Sequence, residues 1–133
     1  MIKMPSFYCP IRSKISPFHD SADLEVIEWL DKFEMFENKI QREYFTKSEF
    51  QAFPSRSLPD AKSHLVSLPG KQVMWLQSFD DVYADEKLGG TPLDEYIVLL
   101  SKLSRVIESP YSPILLDNPW ACALRDLRLE LGK

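Results

Sequence analysis

Ten prolines divide this 133-residue chain into short runs, and inside those runs the apolar residues recur every three or four positions. Proline has no backbone N–H and a fixed φ, so it punctuates or kinks helices. A spacing of three to four is the period of a helix with one buried face. Together they predict helices joined by short proline-marked loops. No segment gives a strand-hairpin-strand pattern, an internal repeat or a low-complexity tract. The expected fold class is all-α, with about five helices.

Pro5, Pro10 and Pro17 make residues 1–20 an extended, irregular arm. Leu24, Ile27, Leu30, Phe33 and Met35 or Phe36 then predict a helix over 21–36. Ser21 or Asp20 is its expected cap, with Asp23 and Glu25 in the first turn. Residues 38–52 read as a second, shorter helix, with Ile40, Tyr44, Phe45 and Phe50 as its apolar positions; Pro54 and Pro59 interrupt after it. A helical turn or two is expected over 61–68 before Pro69-Gly70. A long helix follows over 71–88, ended by Gly89-Gly90. Pro92 opens another helix at a first-turn position, and Pro110 and Pro113 close it. Asn118 is the expected N-cap of the last helix, with Pro119 next and WACALRDLRLEL after it.

Apolar residues make up 44% of the chain and charged residues 27%, a globular profile with enough length for one domain and a core. The net charge of −4, with no basic cluster, argues against nucleic acid and anionic membranes as partners. No apolar run has the length of a membrane span, and the first ten residues lack the apolar core of a secretory signal. Cys9 and Cys122 stand far apart, so neither a disulfide framework nor a zinc ribbon is expected, and the expected location is cytoplasmic.

Asp80, Asp81, Asp85 and Glu86 fall in the last two turns of the 71–88 helix. The C-terminal end of a helix is the negative pole of its macrodipole and disfavours carboxylates by roughly 0.3–1 kcal/mol each at exposed sites. Asp81 and Asp85 also stand one turn apart on one face and repel. So many broken local rules at one place suggest a compensating ligand, and the obvious one is a cation. Mg²⁺ suits the residues, since it takes oxygen ligands and is held by one or two carboxylates plus substrate phosphates. Asp80 lies about 100° around an ideal helix from Asp81, so the three aspartates cannot all ligate one ion, but could share a small ion cluster. The same residues also read as a solvated acidic surface with Lys87 as partial counter-ion.

Trp75, Phe79 and Tyr83 form a stripe upstream of and through the acids. It reads as core packing or as an aromatic wall whose π-faces stabilise a cation. Val73, Leu76 and Gln77 share the face of Asp80 and, with Phe79, are the candidate lining of a pocket below the metal. His19 and His64 have no nucleophilic partner nearby and read as surface or packing residues; Cys122 reads as a buried small hydrophobe.

The segment WLQSFDDVYADE resembles the aspartate-rich metal motif of bacterial class I terpene synthases, with Asp80, Asp81 and Asp85 in the DDxxxD spacing. PSFYCPIRSKISP looks like that family's N-terminal arm, which packs over the active-site end. ADLEVIEWLDKFEMF is similar to its first helix, and NPWACALRDLRLEL to the helix that follows the aspartate helix by one. The resemblance covers essentially the whole chain. The family's second metal motif begins with Asn-Asp on a later helix. Here the two asparagines, Asn38 and Asn118, precede Lys39 and Pro119, so neither starts it. The downstream diphosphate-sensing arginine and the C-terminal Arg-Tyr pair have no counterpart, and Leu68-Pro69-Gly70 sits where family helices run unbroken.

The resemblance implies a partial terpene synthase α-bundle, the N-terminal part of a single α-domain over 1–133, in a truncated chain inactive alone. It implies Mg²⁺ held by Asp80, Asp81 and Asp85, and an isoprenyl diphosphate substrate. The chemistry is ionisation and cyclisation of that substrate with release of diphosphate. A homodimer or a missing C-terminal half are the expected protein partners. The rival reading is a non-catalytic helical fragment or one part of a split protein. Either way, the helices over 93–107 and 120–131 should show apolar surface where partners are missing, and burial of Trp75, Leu99, Leu103 and Leu127 together would count against this.

Overall fold

A computed structural model describes residues 8, 10–36, 38–48, 50, 52–84 and 91–132. Among them there is no strand, and the helices are α1 (His19–Lys32), α2 (Lys39–Lys47), α3 (Ala52–Ser57), α4 (Ser63–Phe79), α5 (Leu93–Glu108) and α6 (Pro119–Glu130). A π-helical segment, Asp80–Ala84, continues α4. The class is the expected all-α bundle.

α4 is the central element. It packs along α1, and α6 and α3 lie against it; α5 packs on α6. The buried core gathers Val26, Trp29 and Leu30 of α1, Met74, Trp75 and Phe79 of α4, Leu103 and Val106 of α5, and Ala121, Ala123 and Leu127 of α6. Polar contacts fix these helices at defined angles. The Trp29 indole N–H donates to Asp126 at 2.8 Å, joining α1 to α6. The Lys71 ammonium lies 2.7 Å from Glu25 of α1 and 3.1 Å from Glu130 of α6, with only 6% of its side chain exposed. Burial pulls the Lys71 pKa down, but the hydrogen bonds it donates to both carboxylates outweigh that and hold the pKa above the ordinary lysine value.

Several boundaries differ from those read in the sequence. α1 begins at His19 after Phe18, and Ser21 points its hydroxyl back to the Phe18 carbonyl instead of capping. α1 stops at Lys32 because Glu34 takes a left-handed φ of 51°. The Glu34 N–H then reaches the Asp31 carbonyl and the Met35 N–H the Leu30 carbonyl, a Schellman ending with Met35 fully buried behind it. Asn38 caps α2, its side chain accepting from the Gln41 N–H. Pro54 lies in the first turn of α3, where its missing N–H has no intrahelical partner to lose. α4 starts at Ser63 and runs through Pro69-Gly70. An interior proline costs about 3 kcal/mol, which burial of Val66, Ser67, Gly70 and Met74 offsets. Asn118 caps α6 by accepting from the Ala121 N–H, with Pro119 first in the helix, as its sequence requires.

The described part of the arm has no regular structure. Its Ser16 N–H donates to the Ser55 carbonyl at 3.0 Å, Arg56 donates to Ser13, and Lys14 pairs with Asp60. These contacts hold the described part of the arm to α3 and to the turn that precedes α4. Met1–Phe7 and Cys9 lie outside the described residues.

α5 shows the expected unpartnered surface. Leu93 is 74% exposed, with Ile97, Val98, Leu100 and Ile107 also open. α6 is better covered than expected: Leu127 is buried, as are Trp75 and Leu103, while Leu99 is half-buried.

Candidate functional site

α4 delivers Asp80 to the surface at the point where the α-helical hydrogen-bond pattern widens. π-Turns are rare, cost stability, and concentrate at functional sites. Asp80 is exposed and stands at the rim of a groove of about 580 Å³. One wall is Gln72, Trp75, Leu76 and Phe79 of α4; the other is Tyr96, Leu100, Ser104 and Ile107 of α5; Leu124 and Leu127 of α6 close the base. The groove exists because α5 leans on α6 rather than on α4. Its lining is mainly apolar, and Ser104 turns its hydroxyl onto the Leu100 carbonyl at 3.0 Å.

The aromatic stripe is continuous. Trp75 and Phe79 stack with centroids 5.0 Å apart and planes within 9°. Tyr83 follows at 4.9 Å from Phe79, and Tyr96 crosses from α5 at 6.2 Å. Trp75 and Phe79 are at once core residues and groove wall.

The structure brings together Asp80, Leu76 and Phe79 of the residues singled out by sequence. Val73 and Gln77 do not line the groove. Gln77 turns instead to Asp81, donating from Nε2 to Oδ1 at 3.3 Å. Asp81 is half-buried on that flank, and Asp85, Glu86 and Lys87 lie outside the described residues. Neither Asp80 nor Asp81 forms an ion pair with a described residue. Among the described residues no group of three or more metal-ligating side chains converges. The donors present are hard carboxylate oxygens on one helical turn, which fit a Mg²⁺ site as part of its ligand set.

The α5 wall was missing from the sequence reading. Its signal was there: Leu93, Ile97, Leu100, Ser104 and Ile107 form a second stripe beside the core stripe Tyr96, Leu99, Leu103 and Val106.

The start of α6 braces the π-segment. The Trp75 indole donates to the Trp120 carbonyl at 2.7 Å, and the Trp120 indole donates to Ser78 Oγ at 2.8 Å. Asn118 Nδ2 donates to the Tyr83 hydroxyl at 3.0 Å, and the Tyr83 ring meets Trp120 edge-on at 5.2 Å.

This architecture recurs in solved structures. The crystal structure of the SVS_A2 protein from ancestral sequence reconstruction superposes with a TM-score of 0.79 at 23% identity, over 96% of this chain and 39% of that one. No family model matches the chain. Among curated proteins, a germacradien-6-ol synthase of Streptomyces pratensis is 32% identical over 97% of this chain and 36% of its own length. Bonnadiene synthase of Allokutzneria albata is 30% identical over 98% and 38%. A T-muurolol synthase of Streptomyces clavuligerus, named as cyclising (2E,6E)-farnesyl diphosphate, is 26% identical over 95% and 30%. The chain is therefore related to bacterial terpene synthases over nearly its whole length. It spans between a third and two fifths of the first two relatives' length.

Proposed function

We propose that this chain forms the N-terminal part of the α-domain of a Mg²⁺-dependent terpene cyclase acting on a linear isoprenyl diphosphate. The observation that carries the reading is the junction of Asp80 with the apolar, aromatic-walled groove. Carboxylates at the rim and hydrocarbon below match a substrate with a charged head and an apolar tail.

In this reading Asp80 is the first metal ligand, Asp85 the second, and Asp81 ligates or orients its neighbour through hydrogen bonds. When bound, Mg²⁺ supplies positive charge that makes diphosphate a better leaving group. The chain's own residues do the rest on their side of the site. Leu76, Leu100 and Ile107 exclude water from the hydrocarbon. Trp75, Phe79 and Tyr96 offer π-faces to an allylic cation.

One wall of acids gives Mg²⁺ few protein ligands and leaves a departing diphosphate without opposing donors. The 133-residue chain alone, incubated with Mg²⁺ and (2E,6E)-farnesyl diphosphate, is expected to give no cyclic product by gas chromatography. Substituted for the matching segment of the Streptomyces pratensis relative, it is expected to give one. Cyclisation by the chain alone would overturn its role as a partial site.

A further inference from the structure

The reciprocal contacts between the start of α6 and the end of α4 suggest more than packing. α6 begins Asn118-Pro119-Trp120, and each of these three does one defined thing. Pro119 starts the helix. Trp120 exchanges hydrogen bonds with the last α-helical turn, accepting from Trp75 and donating to Ser78. Asn118 divides its side chain: Oδ1 caps α6 at 2.9 Å from the Ala121 N–H, and Nδ2 holds the Tyr83 hydroxyl at 3.0 Å. The last α-turn and the π-turn are thus both tied to one rigid point, on either side of Asp80 and Asp81.

A π-turn does not persist by its own preference. A π-helical turn rotates the chain less per residue than an α-helical one, so Tyr83 stands at a different angle around the axis than a regular helix would give it, and there its hydroxyl meets Asn118. The Tyr83 backbone is held as well, its carbonyl accepting from the Thr91 N–H at 3.2 Å. We infer that Asn118 is a positioning residue: through the Tyr83 hydroxyl it holds the π-turn and so sets where the Asp80 and Asp81 carboxylates stand. The inference rests on the metal-binding reading of those two aspartates for its consequence, though not for its geometry.

Three variants separate the parts. Tyr83→Phe keeps the ring and removes the hydroxyl. Asn118→Ser keeps a capping oxygen and removes the amide donor. Asn118→Asp keeps the cap and can accept from the Tyr83 hydroxyl, restoring the tie with its polarity reversed. Amide exchange is followed by mass spectrometry in peptides covering 79–84, with peptides from α1 as the internal reference, and Mn²⁺ binding is titrated by electron paramagnetic resonance. Tyr83→Phe and Asn118→Ser are expected to speed exchange over 79–84 by about three- to tenfold, the worth of one hydrogen bond, and to weaken Mn²⁺ by a similar factor. Asn118→Asp is expected to stay near wild type in both, and α1 to be unchanged throughout. Unchanged exchange over 79–84 in the first two variants would overturn the proposal, as would equal loosening of α1. Asp80→Asn serves as the separate control. If it leaves Mn²⁺ binding unaltered, the metal reading fails, while the exchange data still decide the positioning role.

Discussion

Lys71 lies between helices with its ammonium 2.7 Å from the Glu25 carboxylate, and it is the side chain on which α1, α4 and α6 converge. Its folded-state pKa lies above the ordinary 10.5, against the pull of burial, because Glu25 and Glu130 both accept from it. The stabilisation is therefore complete below about pH 10.5 and is lost as pH rises through the higher folded-state value. Urea midpoints measured from pH 8 to 12 should fall above pH 10.5 in the wild type and stay flatter in Lys71→Met. The double change Glu25→Gln with Glu130→Gln leaves the ammonium without a counter-charge and, with Glu25 44% exposed and the amide oxygens still able to accept, should cost about 1–3 kcal/mol at pH 7.

Glu34 ends α1 in a left-handed conformation that suits glycine. A side chain there costs roughly 1–2 kcal/mol, partly offset in the unfolded chain when glycine replaces it. Glu34→Gly is expected to stabilise the fold by about 0.5–1 kcal/mol in denaturant titration. A loss of stability would show that Glu34 makes compensating contacts.

The two faces of α5 should respond differently. Leu103 is 4% exposed, so Leu103→Ala should cost about 2–5 kcal/mol. Ile97 is 53% exposed, so Ile97→Lys should change stability by less than about 0.5 kcal/mol while reducing light scattering at high concentration. A large destabilisation by Ile97→Lys would mean that this face is already covered.

What was legible in the sequence was local. Asn118-Pro119 states a helix start in two residues, because cap and first-turn proline act within one turn. Asp80 and Asp81 at the end of a helix, and Phe79 one turn from Trp75, follow from spacing alone. Tertiary packing decided the rest. Pro69 reads as a stop, yet the helix passes through it because one face is buried along α1. The π-segment depends on Tyr83 meeting Asn118, 35 positions away. The α5 wall could not be separated from core, since both of its stripes are apolar and only the lean of α5 toward α6 says which one faces the groove.

The proposed metal site has Asp80 at its centre, at the rim of the groove. The most direct measurement is product formation from (2E,6E)-farnesyl diphosphate by the chimera carrying this chain in the Streptomyces pratensis relative, with and without Asp80→Asn. The substitution keeps size and removes the charge a Mg²⁺ ligand must carry. Asp80→Asn is expected to lose at least about a hundredfold of the cyclic product, the scale of one lost electrostatic group in an active site, with the folded state intact by circular dichroism. Cyclisation at the parent rate by the Asp80→Asn chimera would contradict the metal assignment.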